Sequence, residues 1–246
     1  AAGKGTFSTE EVAYQVRRAR LAECVSHRKL ILPQLAAVGV ASMRLKQMTS
    51  FRAEFGPIRI ADLPGFLSGT IVDMEQARSV TFTMQERLVL IPVEVCMMYK
   101  QLAILFGIAL LISGIGPDVY SAKAAVSRSW QFMIATALAI LAGAVITPLA
   151  LPWLPGRQFW LKGLSVSALS ALLFAVCTPS GTIATLALML WIIAAGSYMA
   201  MNFTGSTPYT SLSGVEAEMR KGLIVQIGLT APAILFWLAA PFLAQG

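Results

Sequence analysis

Residues Gly163–Val215 read GLSVSALSALLFAVCTPSGTIATLALMLWIIAAGSYMAMNFTGSTPYTSLSGV, 53 residues without one Asp, Glu, Lys, Arg or His. A helix crossing a bilayer needs about 20 apolar residues, so this run is too long for one span. It breaks at Thr178-Pro179-Ser180-Gly181, a turn signal. The break gives one span over 163–177 and another over 182–203. Working outward, Trp130–Leu151 and Gly222–Leu243 are also free of charge and long enough to cross. Leu102–Ile115 is shorter, but it extends back through Lys100, whose ammonium can snorkel to the interface, to about Val95. The reading is an all-α transmembrane domain of five helices, at about 95–115, 130–151, 163–177, 182–203 and 222–243.

Composition agrees. The chain is 57% hydrophobic and only 13% charged, with a mean hydropathy of +0.70. A soluble domain carries roughly a quarter charged residues, so a soluble enzyme is excluded, and the apolar content excludes disorder. Three scattered cysteines, Cys24, Cys96 and Cys177, exclude a disulfide scaffold. The charge is unevenly divided. Residues 1–100 hold 13 Lys/Arg and 9 Asp/Glu, and residues 101–246 hold 6 and 3. This step separates a head, residues 1–94, from the membrane domain, residues 95–246. Arg157, Lys162, Arg220 and Lys221 fall in loops on the head's side, Lys123 and Arg128 on the other. By the excess of basic residues on the inner side, the head faces the cytoplasm and the C-terminus lies outside. The protein is therefore expected in the cytoplasmic membrane as a multi-pass protein. Its weak basic bias suits anionic membrane lipid, and no aromatic-and-basic motif points to nucleic acid.

The head reads as part of an α/β domain. Ser8-Thr9-Glu10-Glu11 is a capping box, opening a helix to about Leu21. A strand is expected near Glu23–Ser26, an apolar stretch at Leu30–Leu32 and a helix over Val40–Met48. A strand follows at Phe51–Phe55 and a short helix at Asp62–Leu67. Alternating strands and helices favour a parallel sheet. A doubly wound fold begins with a strand feeding its Gly-rich turn. Here that turn comes at residue 3, so the fold class is a partial, Rossmann-like α/β domain whose beginning is expected upstream.

Few residues carry candidate chemistry. The opening Ala1-Ala2-Gly3-Lys4-Gly5-Thr6-Phe7 fails as a phosphate loop, because its GK is followed by Gly rather than Ser or Thr. Its two glycines do permit close approach of a large ligand. His27, the single histidine, sits in Ser26-His27-Arg28 after an expected strand. One histidine and no clustered cysteines cannot fill a metal's coordination sphere. The stretch from Asn202 to Gly214 is polar, uncharged and rich in Gly and hydroxyls. Asn202, Thr204, Gly205, Thr207, Tyr209 and Ser211 make it a candidate docking loop beside the head. Gly107, Gly114, Ala139, Gly143, Gly196 and Gly228 suit close helix packing. No ionisable residue falls at the centre of a span, which disfavours a transporter.

The opening heptapeptide resembles the tail of the Asn-Val-Trp-Cys-Ala-Ala-Gly-Lys-Gly-Thr-Phe signature of the corrinoid protein family of microbial mercury methylation. Ser26-His27-Arg28-Lys29-Leu30 with Leu32-Pro33-Gln34-Leu35 resembles the same family. So do Phe55-Gly56-Pro57-Ile58-Arg59, Asp62-Leu63-Pro64-Gly65-Phe66 and the Asn202–Gly214 loop. Parts are similar to the large subunit of the corrinoid iron–sulfur protein, but that relative is soluble, whereas a five-span tail is found in the mercury-methylation family.

The resemblance implies a cobalamin-type corrinoid with cobalt, held at Ala1, Ala2, Gly3, Lys4, Gly5, Thr6, Phe7, His27 and Arg28. It implies a corrinoid-dependent methyltransferase in which the signature cysteine is the lower axial ligand of a cob(III)amide. A methylcobalamide then passes its methyl group to Hg(II). A ferredoxin-like partner with two iron–sulfur clusters supplies electrons, and a protein or folate supplies the methyl group. The hard chemistry is the cofactor's; the protein ligates, orients and buries it. The axial cysteine aligns immediately before Ala1, and Cys24, Cys96 and Cys177 do not match it. The chain is thus expected to be an N-terminally truncated fragment, inactive by itself. Two alternatives stand beside this: a corrinoid methyltransferase for another one-carbon acceptor, and a non-enzymatic five-helix membrane protein with a partner-binding head.

Overall fold

The computed structural model describes residues 7–70, 73–79, 83–117, 119–178, 182–205 and 212–243. The chain divides into two compact units, Ala1–Thr81 and Phe82–Gly246.

In the first unit, helix α1 (Thr9–Arg18) starts where the Ser8 hydroxyl accepts a hydrogen bond from Glu11 N. Only half of the expected capping box forms, because Glu11 Oε1 accepts from Gln15 Nε2 at 2.7 Å instead of reaching back. The helix ends three residues before Leu21. Arg20 takes a left-handed conformation, φ 48°, and the chain restarts as the single turn α2 (Leu21–Cys24). The strand expected near Glu23–Ser26 is therefore corrected to helix and bend. Strand β1 (Lys29–Pro33) follows, then a 3-10 turn, helix α3 (Ser42–Thr49) and strand β2 (Arg52–Gly56). The strands pair in parallel with Leu30 beside Ala53 and Leu32 beside Phe55. One βαβ unit is what exists of the expected parallel sheet; among the described residues no third strand joins it, and no doubly wound Rossmann-type sheet is formed.

The apolar face of α1, Val12, Ala13 and Val16, packs with Ala36, Val40, Leu45, Phe51 and Ala53 into one core. Thr9 ties the layers together. Its hydroxyl donates to Gly39 O and accepts from Ala41 N at 3.0 Å. Helices α4 (Leu63–Ser68) and α5 (Met74–Ala77) complete this unit.

The second unit is helical. Helix α6 (Met84–Met97) opens on a complete capping box, in which Thr83 Oγ1 accepts from Glu86 N and Glu86 Oε2 accepts from Thr83 N. Helix α7 (Tyr99–Ser113) continues it after a 50° bend. A two-residue hairpin, β3 (Ile115–Gly116) with β4 (Val119–Tyr120), leads to α8 (Ala122–Ile140). That helix runs through a π-helical turn, Leu141–Ile146, into α9 (Thr147–Ala150). Pro148 has no N–H to offer Ala144 O and crowds the preceding turn, and the widened turn absorbs this misfit. Helices α10 (Phe159–Cys177), α11 (Thr182–Asn202) and α12 (Leu212–Leu243) follow.

Four continuous helices among the described residues are long and apolar enough to cross a membrane, and the bent α6–α7 pair makes up to five. The protein is a membrane protein. Three spans are longer than their apolar cores suggested. The second begins at Ala122 rather than 130, the third at Phe159 rather than 163 and the last at Leu212 rather than 222. Lys123, Arg128, Lys162, Arg220 and Lys221 therefore lie on helices and not in loops.

Helix α11 packs against α8, α10 and α12, and half of its apolar window is buried. Its contacts are made possible by small residues. A Cβ on Gly143 would stand 2.1 Å from Gly196 O, one on Gly163 2.3 Å from Ala200 Cβ, and one on Gly196 2.0 Å from Ser167 Oγ. Close packing thus holds for Gly143 and Gly196, and Ala139 is fully buried. Gly114 instead lies under the Tyr120 ring. Gly107 and Gly228 face open space and pack against nothing.

Candidate functional site

Phe7, the last residue of the opening heptapeptide, packs half-buried against the first unit's core. It anchors the entry to α1, whose first turn carries Glu10 and Glu11 as acids near the helix's positive end. A hydrogen bond from its own backbone N–H, then the Arg44 guanidinium 2.8 Å away and the Ser8 hydroxyl, hold the Glu10 carboxyl below the ordinary glutamate range, against a lesser opposing effect of desolvation. Ala1, Ala2, Gly3, Lys4, Gly5 and Thr6 lie outside the described residues.

His27 and Arg28 precede strand β1 and do not follow a strand, because the chain before them is α2. They stand at the amino edge of the parallel pair. Open α/β sheets bind ligands at the carboxyl edge. Both residues are exposed. The Arg28 guanidinium donates to Val25 O at 2.7 Å, His27 O at 3.2 Å and Ala22 O at 3.3 Å, and it lies over the Phe51 ring at 5.2 Å. Its donors close the end of α2. Among the described residues, no group of three or more His, Cys, Asp and Glu converges as a metal site.

In the second unit the ionic side chains sit at helix ends. Glu218, on α12, is 6% exposed. Its two oxygens accept from Phe159 N, the first amide of α10, at 3.0 and 3.2 Å, and Oε2 also accepts from Thr204 Oγ1 at 3.0 Å. A carboxylate here satisfies an orphan donor and meets the positive end of the α10 dipole. The opposite pairing holds at carbonyl ends. Arg87 NH1 donates to Leu149 O at 3.2 Å and Lys162 Nζ to Leu151 O at 2.7 Å. At the far end of the bundle, the Arg128 guanidinium donates to Ser113 O at 3.0 Å, to Ile115 O and to Trp237 O. It also stacks on the Trp237 ring at 4.4 Å. The Trp237 carbonyl would bond the amide of residue 241, but residue 241 is proline. Arg128 thus satisfies a carbonyl that Pro241 orphans.

The expected docking loop is only partly described. Asn202 ends α11 and lines an intramembrane cavity. Thr204 is 1% exposed and turned onto Glu218, and Gly205 closes a 3-10 turn. Thr207, Tyr209 and Ser211 lie outside the described residues. The reading of the sequence missed Glu218 altogether. Its signal was the helix-forming run Glu216-Ala217-Glu218-Met219-Arg220-Lys221, which carries a Glu–Arg pair at i,i+4 and so extends α12 backwards. Compared with family models, with curated proteins and with solved structures, the chain matches none.

Proposed function

We propose that this chain is the membrane-anchored part of a corrinoid-dependent methyltransferase whose acceptor is Hg(II). The observation that carries the reading is the heptapeptide Ala1–Phe7 running directly into a Ser8-capped helix, supported by the Ser26–Leu35 and Phe55–Phe66 blocks and by an apolar helical tail. The chemistry of Gly3, Lys4, Gly5 and Thr6 suits a large macrocycle with amide side chains. Two positions without side chains allow close approach, while an ammonium and a hydroxyl offer hydrogen bonds at the rim.

Phe7, half-buried against the head's core, and α1 follow this stretch directly in the chain. Arg28 fits such a role less well, because its donors are engaged by main-chain carbonyls. The reading therefore rests on the heptapeptide and not on Arg28. When bound, the corrinoid supplies a cobalt-held methyl group. A cysteine at the position where the signature aligns it, before Ala1, would hold the cobalt, and a ferredoxin-like partner would serve as reductant. The second unit anchors the head at the cytoplasmic face, with the C-terminus outside. The basic residues support this side: Arg87, Arg157, Lys162, Arg220 and Lys221 gather at one end of the bundle, against Lys123 and Arg128 at the other.

The test is methylmercury formation from Hg(II) by membranes carrying the protein and its reductant, with Cys or Ala at the position before Ala1. Activity with Cys and none with Ala is expected. In the Cys form, Gly5→Val should strip the corrinoid, read as cobalt per protein after purification. Full cobalt content in Gly5→Val, or equal methylation with Ala, would refute the assignment.

A further inference from the structure

The second unit holds a cavity of about 690 Å³ between the bent α6–α7 pair, α8, α11 and α12. Among the described residues its wall contains no Asp, Glu, Lys, Arg or His. Gln101, Tyr198, Asn202 and Gln226 gather toward one end, and the hydroxyls of Thr136 and Thr230 lie further along the wall. At the other end, Leu105, Trp191 and Ile234 are shared with a narrower apolar pocket of about 100 Å³ that runs on past Ile108 and Ile112 to Trp237. Along α7 the joint lining runs from Met98 to Ile112, and along α12 from Leu223 to Trp237. Each stretch is about 21 Å at 1.5 Å per residue. The cleft therefore grades from polar to apolar over most of a bilayer's hydrocarbon thickness.

Gln226 supplies the second observation. It is 5% exposed. Its Nε2 donates to Ser197 Oγ at 3.3 Å, and Ser197 Oγ donates onward to Trp160 O at 2.9 Å. The chain of donors fixes the amide's orientation. Oε1 is left buried with no partner. A buried acceptor without a donor is costly, and a donor held in the cleft that Gln226 lines would remove that cost.

We infer that this cleft binds one neutral amphipathic lipid, its chain along Leu105, Trp191 and Ile234 and a hydroxyl of its head donating toward Gln226. An anionic or zwitterionic head finds no counter-charge among the described residues of the wall. A pure hydrocarbon leaves the amides unused. The inference stands independently of the corrinoid reading.

The test uses the whole protein in dodecyl maltoside. The probe is a monoacylglycerol brominated along its chain, and the readout is quenching of Trp191 fluorescence, isolated by subtracting the Trp191→Phe variant. Saturable quenching is expected. Gln226→Leu should weaken it about fivefold to tenfold, the range set by one neutral hydrogen bond. Ala231→Trp should abolish it, by filling the mouth from an exposed position on the wall. Lipid retained through purification gives a measurement that needs no variant: mass spectrometry should find a neutral hydroxylated lipid near one per protein. Linear quenching, or equal quenching by brominated phosphatidylcholine, would show bulk lipid only and overturn the inference. So would an unaltered Ala231→Trp.

Discussion

Gly143 and Gly228 are both helical glycines inside apolar spans, and the same substitution should move them in opposite directions. Glycine in a helix interior costs about 0.5–1 kcal/mol relative to alanine, through backbone entropy. At Gly228 nothing lies within 4 Å of a new Cβ, so Gly228→Ala should collect that gain and no penalty. At Gly143 the new Cβ would stand 2.1 Å from Gly196 O and 2.8 Å from Met199 Cβ. The nearest atom is main chain on the most enclosed helix and cannot rotate away. Overpacking of a tight core costs about 1–3 kcal/mol, which outweighs the entropic gain. The entropic gain is common to both, so the two variants should differ by the overpacking cost, about 1–3 kcal/mol. One kcal/mol corresponds to about 2–4 °C of midpoint for a chain of this size. In thermal unfolding followed by circular dichroism in a fixed detergent, Gly143→Ala should melt below the wild type and Gly228→Ala at or above it. A Gly143→Ala variant as stable as the wild type would refute the packing of the π-helical turn Leu141–Ile146 on α11.

Glu218→Ala should destabilise the second unit by about 2–3 kcal/mol, because it strands the Phe159 amide, whereas Glu218→Gln keeps an acceptor and should cost under about 1 kcal/mol; equal losses on unfolding would count against the cap. Arg128→Leu should be strongly destabilising, and less so in a Pro241→Ala background, where residue 241 gains an N–H for Trp237 O; strict additivity in the double-mutant cycle would sink that account. For Glu10 the sign is that of a depressed carboxyl. Its contribution is present above the ordinary glutamate range and is lost as pH falls through its lowered value. An NMR titration should find its midpoint low, and Arg44→Ala should raise it; no upward move would remove Arg44 as a cause.

Much of the membrane unit was legible because its determinant is one-dimensional. Charge-free stretches of bilayer length, broken at Pro179-Ser180, need no tertiary information. What escaped were the ends. The apolar core of the last span starts at Gly222, so Glu216 through Lys221 read as loop. Hydropathy counts charge but not the helix-forming character of those residues, nor the amide at Phe159 that awaits a carboxylate. The head was read less well. Glu23–Ser26 has the composition of a short strand, but a left-handed Arg20 turns the chain back into helix, and no pattern of apolar residues announces such a turn. The one βαβ unit was visible in alternation; that it stays a two-stranded pair was not. For the candidate site, sequence offered His27-Arg28 through an assumed preceding strand. Once that strand is a helix, the pair moves to the sheet's other edge and Arg28 becomes a brace for α2. The opening glycines remain a reading of sequence chemistry alone.

The Arg128 brace also sets a schedule for biogenesis. Its guanidinium and the Trp237 carbonyl are separated by 109 positions, and Trp237 lies on α12, which is synthesised after every other helix it packs with. At roughly 5–20 residues per second, that interval is on the order of ten seconds of translation. Throughout it, the arginine sits near a membrane interface with its final acceptor unmade. Bundle closure is thus held until α12 has been made. A nascent chain stalled before α12 carries an arginine whose NH1 can reach Ser113 O and Ile115 O but whose NH2 lacks the Trp237 carbonyl, a mark of incompleteness that membrane proteases can act on. Pulse-chase turnover should show chains truncated before Trp237 decaying faster when Arg128 is present than when it is Leu.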